Sequence, residues 1–362
     1  MVKKGEKKLD PESLKRKAMF EASQKEYPLC LYPVDKTGAT KCPEPAIKAH
    51  SIQKSGKLAE IVEDDFVYTF DLRPQFDDPP KLPDFRRWSH NLATTFPGLC
   101  KDHDNDLFEP IDNSPIDLED EEHVFLLTYR TVLKEYHGAL TLERWAADAY
   151  AEMAGVGAVD PEDTVSKELK ESAACNVGYL GDEKRKMDLL YLAGDYGRVG
   201  SEVVWLPEAD PALAVSAYFS TGAVAFSGVK GTERFCALNV FPQDGRHVMV
   251  FSFREGGRLM AKRTLVGGLR YHAEKEREQP ASRLVLENCD DPVLRPSAYD
   301  SFSEGQKAAI RGYYFQTAML EQINASPVFS PELRFRAERA VMDASGGVRE
   351  DDPRINLFRA VP

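Results

Sequence analysis

The amino-acid sequence predicts an α+β fold, because helical and strand-like patterns fall into separate blocks along its 362 residues. Residues 113–200 carry apolar side chains at helical spacing, whereas residues 202–290 alternate or run apolar in short pieces. Residues 28–112 are irregular and rich in Pro, Gly and Asp. We therefore expect an irregular N-terminal module, a helical middle section, and a domain at 201–340 built on an antiparallel sheet with a closing helix.

Charge and hydropathy limit the kind of protein that the chain can be. The net charge of −12 argues against a protein that coats nucleic acid over its whole surface. The first 60 residues carry 13 Lys/Arg against 8 Asp/Glu, which leaves two alternatives, a local basic patch or a solubilising tail. Because no run of about 18 apolar residues occurs, we expect no transmembrane helix and no membrane partner.

The cysteines and the start of the chain predict a cytoplasmic protein. The basic start lacks the apolar segment of a secretory signal. Dispersed cysteines without such a signal are typical of the reducing cytoplasm, and the later three of them are expected to be small buried residues. The six cysteines are at positions 30, 42, 100, 175, 236 and 289.

The N-terminal part of the chain contains one predicted helix. Residues 1–27 form a basic helix or tail, with the helix itself at 10–24. Asp10 suits the capping position and Pro11 suits the first helical turn.

Few regular elements are predicted in the module at 28–112. Strand-like pieces occur at 46–52 and 65–70. The proline-rich stretch at 74–84 is predicted as a loop, and a short helix is expected to start near Pro97.

The helical section at 113–200 follows an acidic stretch. Residues 102–122 contain ten acidic residues and no basic one, which is typical of a solvated linker or, in part, of a metal site. Apolar residues at helical spacing predict helices at 123–136 and 142–155, and the pattern continues to about residue 194.

The C-terminal part is predicted as a sheet and one long helix. Short apolar pieces between turn signals predict five to seven antiparallel strands within 202–290. One of these predicted strands is 284–288. A helix is predicted over 303–323, and residues 341–362 are predicted as a polar tail.

Four residues of the module have side chains suited to zinc. Cys100 and His103 are spaced C-x-x-H at the start of a predicted helix, which places both donors on one side of an ion. A loop with Pro and Gly separates Cys30 from Cys42 and can bring two more thiolates to the other side. A closed structural Zn²⁺ site is therefore predicted, because a module with so few apolar residues needs a metal ion or another cross-link to stabilise its fold. The alternative is two buried cysteines and an unrelated surface pair.

The order of these features resembles the HNH (ββα-metal) nuclease type of treble-clef module. A cysteine loop comes first, then a strand with a histidine in AHSIQ, a second strand, and a helix that begins in LCKDHDNDLFEPID. The same segments resemble a group of uncharacterised bacterial proteins with a C…C…HSIQ…FCxxHDxxLF pattern. The resemblance covers residues 28–112 only.

The resemblance implies roles for three residues. His50 would be the general base that activates water, Asp104 would bind a catalytic Mg²⁺, and Asn91 would orient the loop or His50. The chain departs from the family where Ala49 replaces an aspartate and where Asp104 replaces a histidine. An aspartate can still bind a hard cation. From the residues alone, His50 is equally a fifth zinc-ligand candidate or a core histidine.

These inferences predict a zinc-binding protein with a metal-dependent DNA endonuclease module, with anti-phage defence as a candidate setting. DNA would bind through the N-terminal module. The alternative is a non-catalytic, zinc-stapled protein that binds a protein or a small ligand. An enzyme site in the sheet at 202–290 is a third interpretation, although no catalytic pair is visible there. The acidic residues of the predicted helix fit a solvated face as well as a metal site, namely Asp102, Asp104, Asp106 and Glu109.

Overall fold

The structure is a computed structural model that combines helices with antiparallel sheet, as an α+β chain requires. The predicted helix at 10–24 lies outside the described residues, and so does the predicted loop at 74–84 up to residue 83; Asp84 begins a strand. None of the described helices combines the length and the apolar character that a membrane span requires. The structure describes residues 25–33, 35, 41–71, 84–155, 164–220, 235–254, 265–325 and 331–361.

Helices and strands occur in separate blocks, with some strands in the N-terminal part. The described strands are β1 (Lys48–His50), β2 (Phe66–Asp71), β3 (Asp84–Ser89), β4 (Thr95–Pro97), β5 (Val199–Glu208), β6 (Leu213–Ser220), β7 (Phe235–Gln243), β8 (Arg246–Arg254) and β9 (Val293–Leu294). The described α-helices are α1 (Lys101–Asp112), α2 (Glu121–Gly155), α3 (Thr164–Ala193), α4 (Gly267–Tyr271), α5 (Glu278–Asn288), α6 (Pro296–Asp300), α7 (Glu304–Ala325) and α8 (Pro331–Ser345).

Two antiparallel sheets are formed by these strands. β1 pairs with β4, and His50 lies opposite Thr95 in that ladder. The other seven described strands form one sheet in the order β3-β2-β9-β6-β7-β8-β5. The two-residue strand β9 joins β2 to β6. The N-terminal module and the C-terminal part of the chain therefore share one sheet.

The central strands β6, β7 and β8 of the large sheet are buried on both faces, which explains their continuous apolar runs. In β7, Cys236 and Leu238 contact one core cluster, while Ala237 and Phe241 contact another. Helices α2 and α3 cover the second face. Helices α5 and α7 cover the first face, together with residues near the C-terminus. This arrangement places the long helix α2 between the sheet and α1.

Three predicted elements differ from the structure in type or extent. Residues 284–288 were expected to form a strand but belong to α5, whose buried residues recur at helical spacing. Short apolar runs fit either a strand or a buried helix, so periodicity cannot separate the two. Pro97 ends β4, and the predicted helix begins only at Lys101. The two helices predicted at 123–136 and 142–155 are one continuous helix, α2.

The predicted polar tail at 341–362 is in fact packed against the core. Ile355, Leu357 and Phe358 are buried within the cluster on the α5–α7 side of the sheet. The buried Gln306 side chain donates hydrogen bonds to the Asn356 and Arg359 carbonyls at 2.8 and 2.9 Å. Charged residues lie on both sides of this short apolar group in the sequence, so its pattern was too weak to indicate a buried segment.

Candidate metal centre and neighbouring histidine

A hydrogen-bonded loop brings the first two cysteines together. The backbone N–H of Cys30 donates to the carbonyl of Glu44 at 3.0 Å, and that of Cys42 donates to the carbonyl of Tyr32 at 3.4 Å. Two isolated bridges, Leu29 with Pro45 and position 33 with 41, close the same loop. Both thiols are buried and face α1.

The second pair of candidate ligands lies at the start of α1. Cys100 is the residue that precedes the helix, in an extended conformation, and His103 is in the first turn. The ring of Tyr32 stacks on the ring of His103, with 3.8 Å between centroids and 8° between planes. This stacking holds the imidazole so that its Nδ1 atom faces the thiols.

The four predicted ligands converge on one point. Their ligand atoms all lie within 4.8 Å of one another. His103 Nδ1 is 3.3 Å from Cys100 Sγ and 3.6 Å from Cys30 Sγ. Bond lengths for zinc give tetrahedral edges of roughly 3.6 Å, so the separations fit an ion at the centre. The group is therefore suited to hold a metal ion such as zinc.

Within the described part of the chain, this is the one group of three or more His, Cys, Asp or Glu residues with converging ligand atoms. Burial raises the pKa of the Cys30 thiol to about 12. Of the later cysteines, Cys236 and Cys289 are buried as expected, whereas Cys175 is exposed on α3.

His50 lies at the end of β1 and is not part of this group. Its Nε2–H donates to the backbone carbonyl of His90 at 2.8 Å, which places the proton on Nε2 and leaves Nδ1 as an acceptor. Burial lowers the pKa of His50; the His90 carbonyl opposes this, and Lys54, His90 and Arg130 lower it further by their charge. The imidazole is therefore neutral at pH 7.

Asn91 lies in the turn between β3 and β4, next to the residue that holds His50. Its Oδ1 atom accepts a hydrogen bond from Lys54 Nζ at 2.7 Å and not one from His50. The same turn holds Thr94 at a φ of 60°, which is uncommon for a β-branched residue. The turn thus fixes His50 through the His90 carbonyl and Lys54 through Asn91.

Asp104 lies on the face of α1 that is turned towards Arg130 of α2. Asp104, Phe108 and Asp112 are four residues apart and share that face. The Arg130 guanidinium donates to both oxygens of Asp112 at 2.9 and 2.7 Å and lies 4.0 Å from the Phe108 ring centroid. Burial raises the pKa of Asp104, Arg130 opposes the shift, and Asp112 adds to it.

The residues near His50 offer Mg²⁺ few ligands. In proteins this ion usually takes one or two carboxylates and completes its coordination with water and substrate phosphates. The Ala49 side chain supplies no ligand, Asp112 is engaged by Arg130, and Asp104 is the carboxylate that remains on this side of α1. The other acidic residues of the helix are exposed, as a solvated face would be; these are Asp102, Asp106 and Glu109.

Sequence reasoning missed two residues that organise this region, Arg130 and Lys54. Arg130 was hidden in an apolar helical pattern, and its partner is 18 positions away. Lys54 directly follows the histidine motif, which was the available signal, and Gln53 is the last residue of that motif. The Gln53 side chain donates to the carbonyl of Ser114 at 3.1 Å, so it ties the loop after β1 to the end of α1.

Comparison with known proteins adds no family to these observations. No protein-family model matches the chain, and no curated protein or solved structure matches it. The function of the chain must therefore be inferred from the chemistry of the site itself.

Proposed function

We propose that residues 28–112 form a zinc-held, treble-clef-like module of the HNH type, which hydrolyses phosphodiester bonds in DNA. Cys30, Cys42, Cys100 and His103 would hold the zinc ion, which when bound cross-links the cysteine loop to the first turn of α1. The order of loop, β1, β4 and α1 supports this module. Anti-phage defence and a cytoplasmic location stay predictions.

The observation that carries the proposal is the hydrogen bond from His50 Nε2 to the His90 carbonyl. It fixes the imidazole in the tautomer whose Nδ1 can accept a proton from water. The lowered pKa of His50 keeps this atom unprotonated at neutral pH. The positive charge of Lys54 and Arg130 near the imidazole favours an anionic substrate such as a phosphodiester.

The test is cleavage of plasmid DNA by the full chain and by His50→Ala. We expect the variant to lose cleavage by about 10²- to 10⁴-fold, as is typical for removal of a general base. Its zinc content should be unchanged. Undiminished cleavage in His50→Ala would overturn the proposal.

His137 provides a matched control. Its Nε2–H also donates to a backbone carbonyl, that of Tyr27 at 3.1 Å, and burial also lowers its pKa. It lies on α2, outside the module's β1–β4 ladder. His137→Ala removes a similar imidazole, so we expect it to retain cleavage at the rate of the unchanged chain.

A second candidate function is a non-catalytic interaction module that binds a protein. The exposed acidic residues of α1 favour it, because they repel DNA phosphates. Retention on immobilised DNA separates the two functions. If the chain acts on DNA, it is retained at low salt and released steeply as the salt concentration increases. If it instead binds a basic protein, it is not retained on DNA at any salt concentration.

A further inference from the structure

We infer that the His50 site acts on its phosphodiester without a divalent metal ion, and that the Lys54 ammonium group supplies the positive charge at the phosphate. The inference rests on the proposed function and departs from the Mg²⁺ dependence that the resemblance implies. Three observations carry it: the ligands near His50, the position of Arg130, and the surroundings of Lys54.

The ligand set is the first observation. The position before His50 is Ala49, whose side chain has no oxygen to offer a cation. Asp112 gives both carboxylate oxygens to Arg130. Asp104 is then the one carboxylate left on this face of α1, so a Mg²⁺ ion here would depend on water and the substrate phosphate for its other ligands.

The second observation is that a permanent positive charge already lies on this side of α1. The Arg130 side chain is only 4% exposed and is held by its ion pair with Asp112 and by the Phe108 ring. Its charge acts on both His50 and Asp104. A divalent cation placed beside Asp104 would meet repulsion from this guanidinium, which the charge of Asp112 offsets in part.

The third observation is that Lys54 is exposed and carries a charge with no carboxylate partner in the described part of the chain. Its Nζ donates to the neutral amide oxygen of Asn91, which orients the ammonium group without cancelling its charge. Two neighbouring lysines are instead paired, Lys48 with Glu26 at 3.0 Å and Lys57 with Glu60 at 3.6 Å.

Lys54 and His50 are fixed by consecutive residues of one turn. The His90 carbonyl holds the imidazole and the Asn91 amide holds the ammonium group. The turn itself is closed by backbone hydrogen bonds from Leu92 and Ala93 to the Ser89 carbonyl, both at 3.0 Å. A base and a cation in fixed relation are what hydrolysis of a phosphodiester requires.

The chemical step follows from these positions. Nδ1 of His50 takes a proton from water, the water oxygen forms a bond to phosphorus, and the bond from phosphorus to the leaving oxygen breaks. The leaving oxygen takes a proton from solvent, and His50 later returns its proton to solvent. Lys54 donates a hydrogen bond to a non-bridging oxygen and stabilises the charge that develops there. The products are a phosphomonoester and an alcohol.

The experiment compares cleavage of plasmid DNA in metal-depleted buffer with cleavage in millimolar Mg²⁺, after elemental analysis has shown that zinc is retained. We expect equal rates in the two buffers. Lys54→Met should lose about 10²-fold in rate, as is typical when one charge-stabilising donor is removed. Lys54→Arg should keep most of the rate, and Lys48→Met, which removes a paired lysine from β1, should keep all of it.

The outcomes separate this inference from the proposed function. Cleavage that requires Mg²⁺ would overturn the inference and leave the nuclease proposal intact. No cleavage in either buffer would overturn both. Paramagnetic resonance with Mn²⁺ gives a readout that does not depend on activity. We expect no bound Mn²⁺, and one bound Mn²⁺ per chain that disappears in Asp104→Asn would overturn the inference.

Discussion

Arg130 of α2 donates two hydrogen bonds to Asp112 at the end of α1, at 2.9 and 2.7 Å. The pair joins the helix that carries two candidate zinc ligands to the helix that packs on the large sheet. The guanidinium is buried, while the carboxylate is 39% exposed. The ion pair therefore links the candidate metal module to α2. The buried Arg130 charge depends on Asp112 as its counter-charge.

Removal of this partner should destabilise the protein. Asp112→Asn leaves the Arg130 charge buried without a counter-charge, and we expect a loss of about 2–3 kcal/mol in the free energy of unfolding, because Asp112 is partly exposed. Urea unfolding measures the change. Asp102→Asn, an exposed aspartate of the same helix, is the control and should change stability by less than about 0.5 kcal/mol. Equal stability of the two variants would contradict this account of the pair.

The buried C-terminal segment gives a second stability prediction. Phe358 is 3% exposed within the core cluster, so Phe358→Ala should cost about 3–5 kcal/mol through lost burial and the cavity left behind. Phe335 of α8 is 62% exposed, and Phe335→Ala should be nearly neutral. Thermal or urea unfolding of both variants checks the prediction, and a neutral Phe358→Ala would show that the segment is not packed on the core.

Local signals in the sequence were sufficient for several features. The spacing of Cys100 and His103, together with the looped pair Cys30 and Cys42, identified the four residues that converge. The Asp244–Gly245 dipeptide between β7 and β8 is a local hairpin signal of the same kind, and both residues adopt the positive φ that such a turn requires, 52° and 75°.

Features that depend on residues far apart in the chain could not be predicted from the sequence. Lys134 Nζ donates a hydrogen bond to Asp291 Oδ1, 157 positions away, at 2.5 Å. No local pattern in the sequence predicts such a pair. The two-residue strand β9 is too short for a periodicity. The role of Arg130 beside Asp104 could not be inferred either, because it follows from how two helices pack.

The lowered pKa of His50 predicts the pH dependence of cleavage. The neutral imidazole is the base, so the rate should be constant near neutral pH and fall as pH decreases through a value below the ordinary 6.5. Three charged or titratable groups face the ring, Lys54, His90 and Arg130. Lys54→Met removes one of these charges and should move the fall in rate to higher pH. A rate that increases below pH 6.5 would contradict the role of His50 as a base.

The most direct test of the account is the zinc content of freshly purified protein. We predict about one zinc per chain in the unchanged protein, as expected for a single four-ligand site. Cys100→Ser should lose the zinc, and Cys175→Ser, which alters an exposed cysteine outside the group, should keep it. Elemental analysis measures all three. Absence of zinc from the unchanged chain, or equal zinc in Cys100→Ser, would contradict the metal centre on which the proposed module depends.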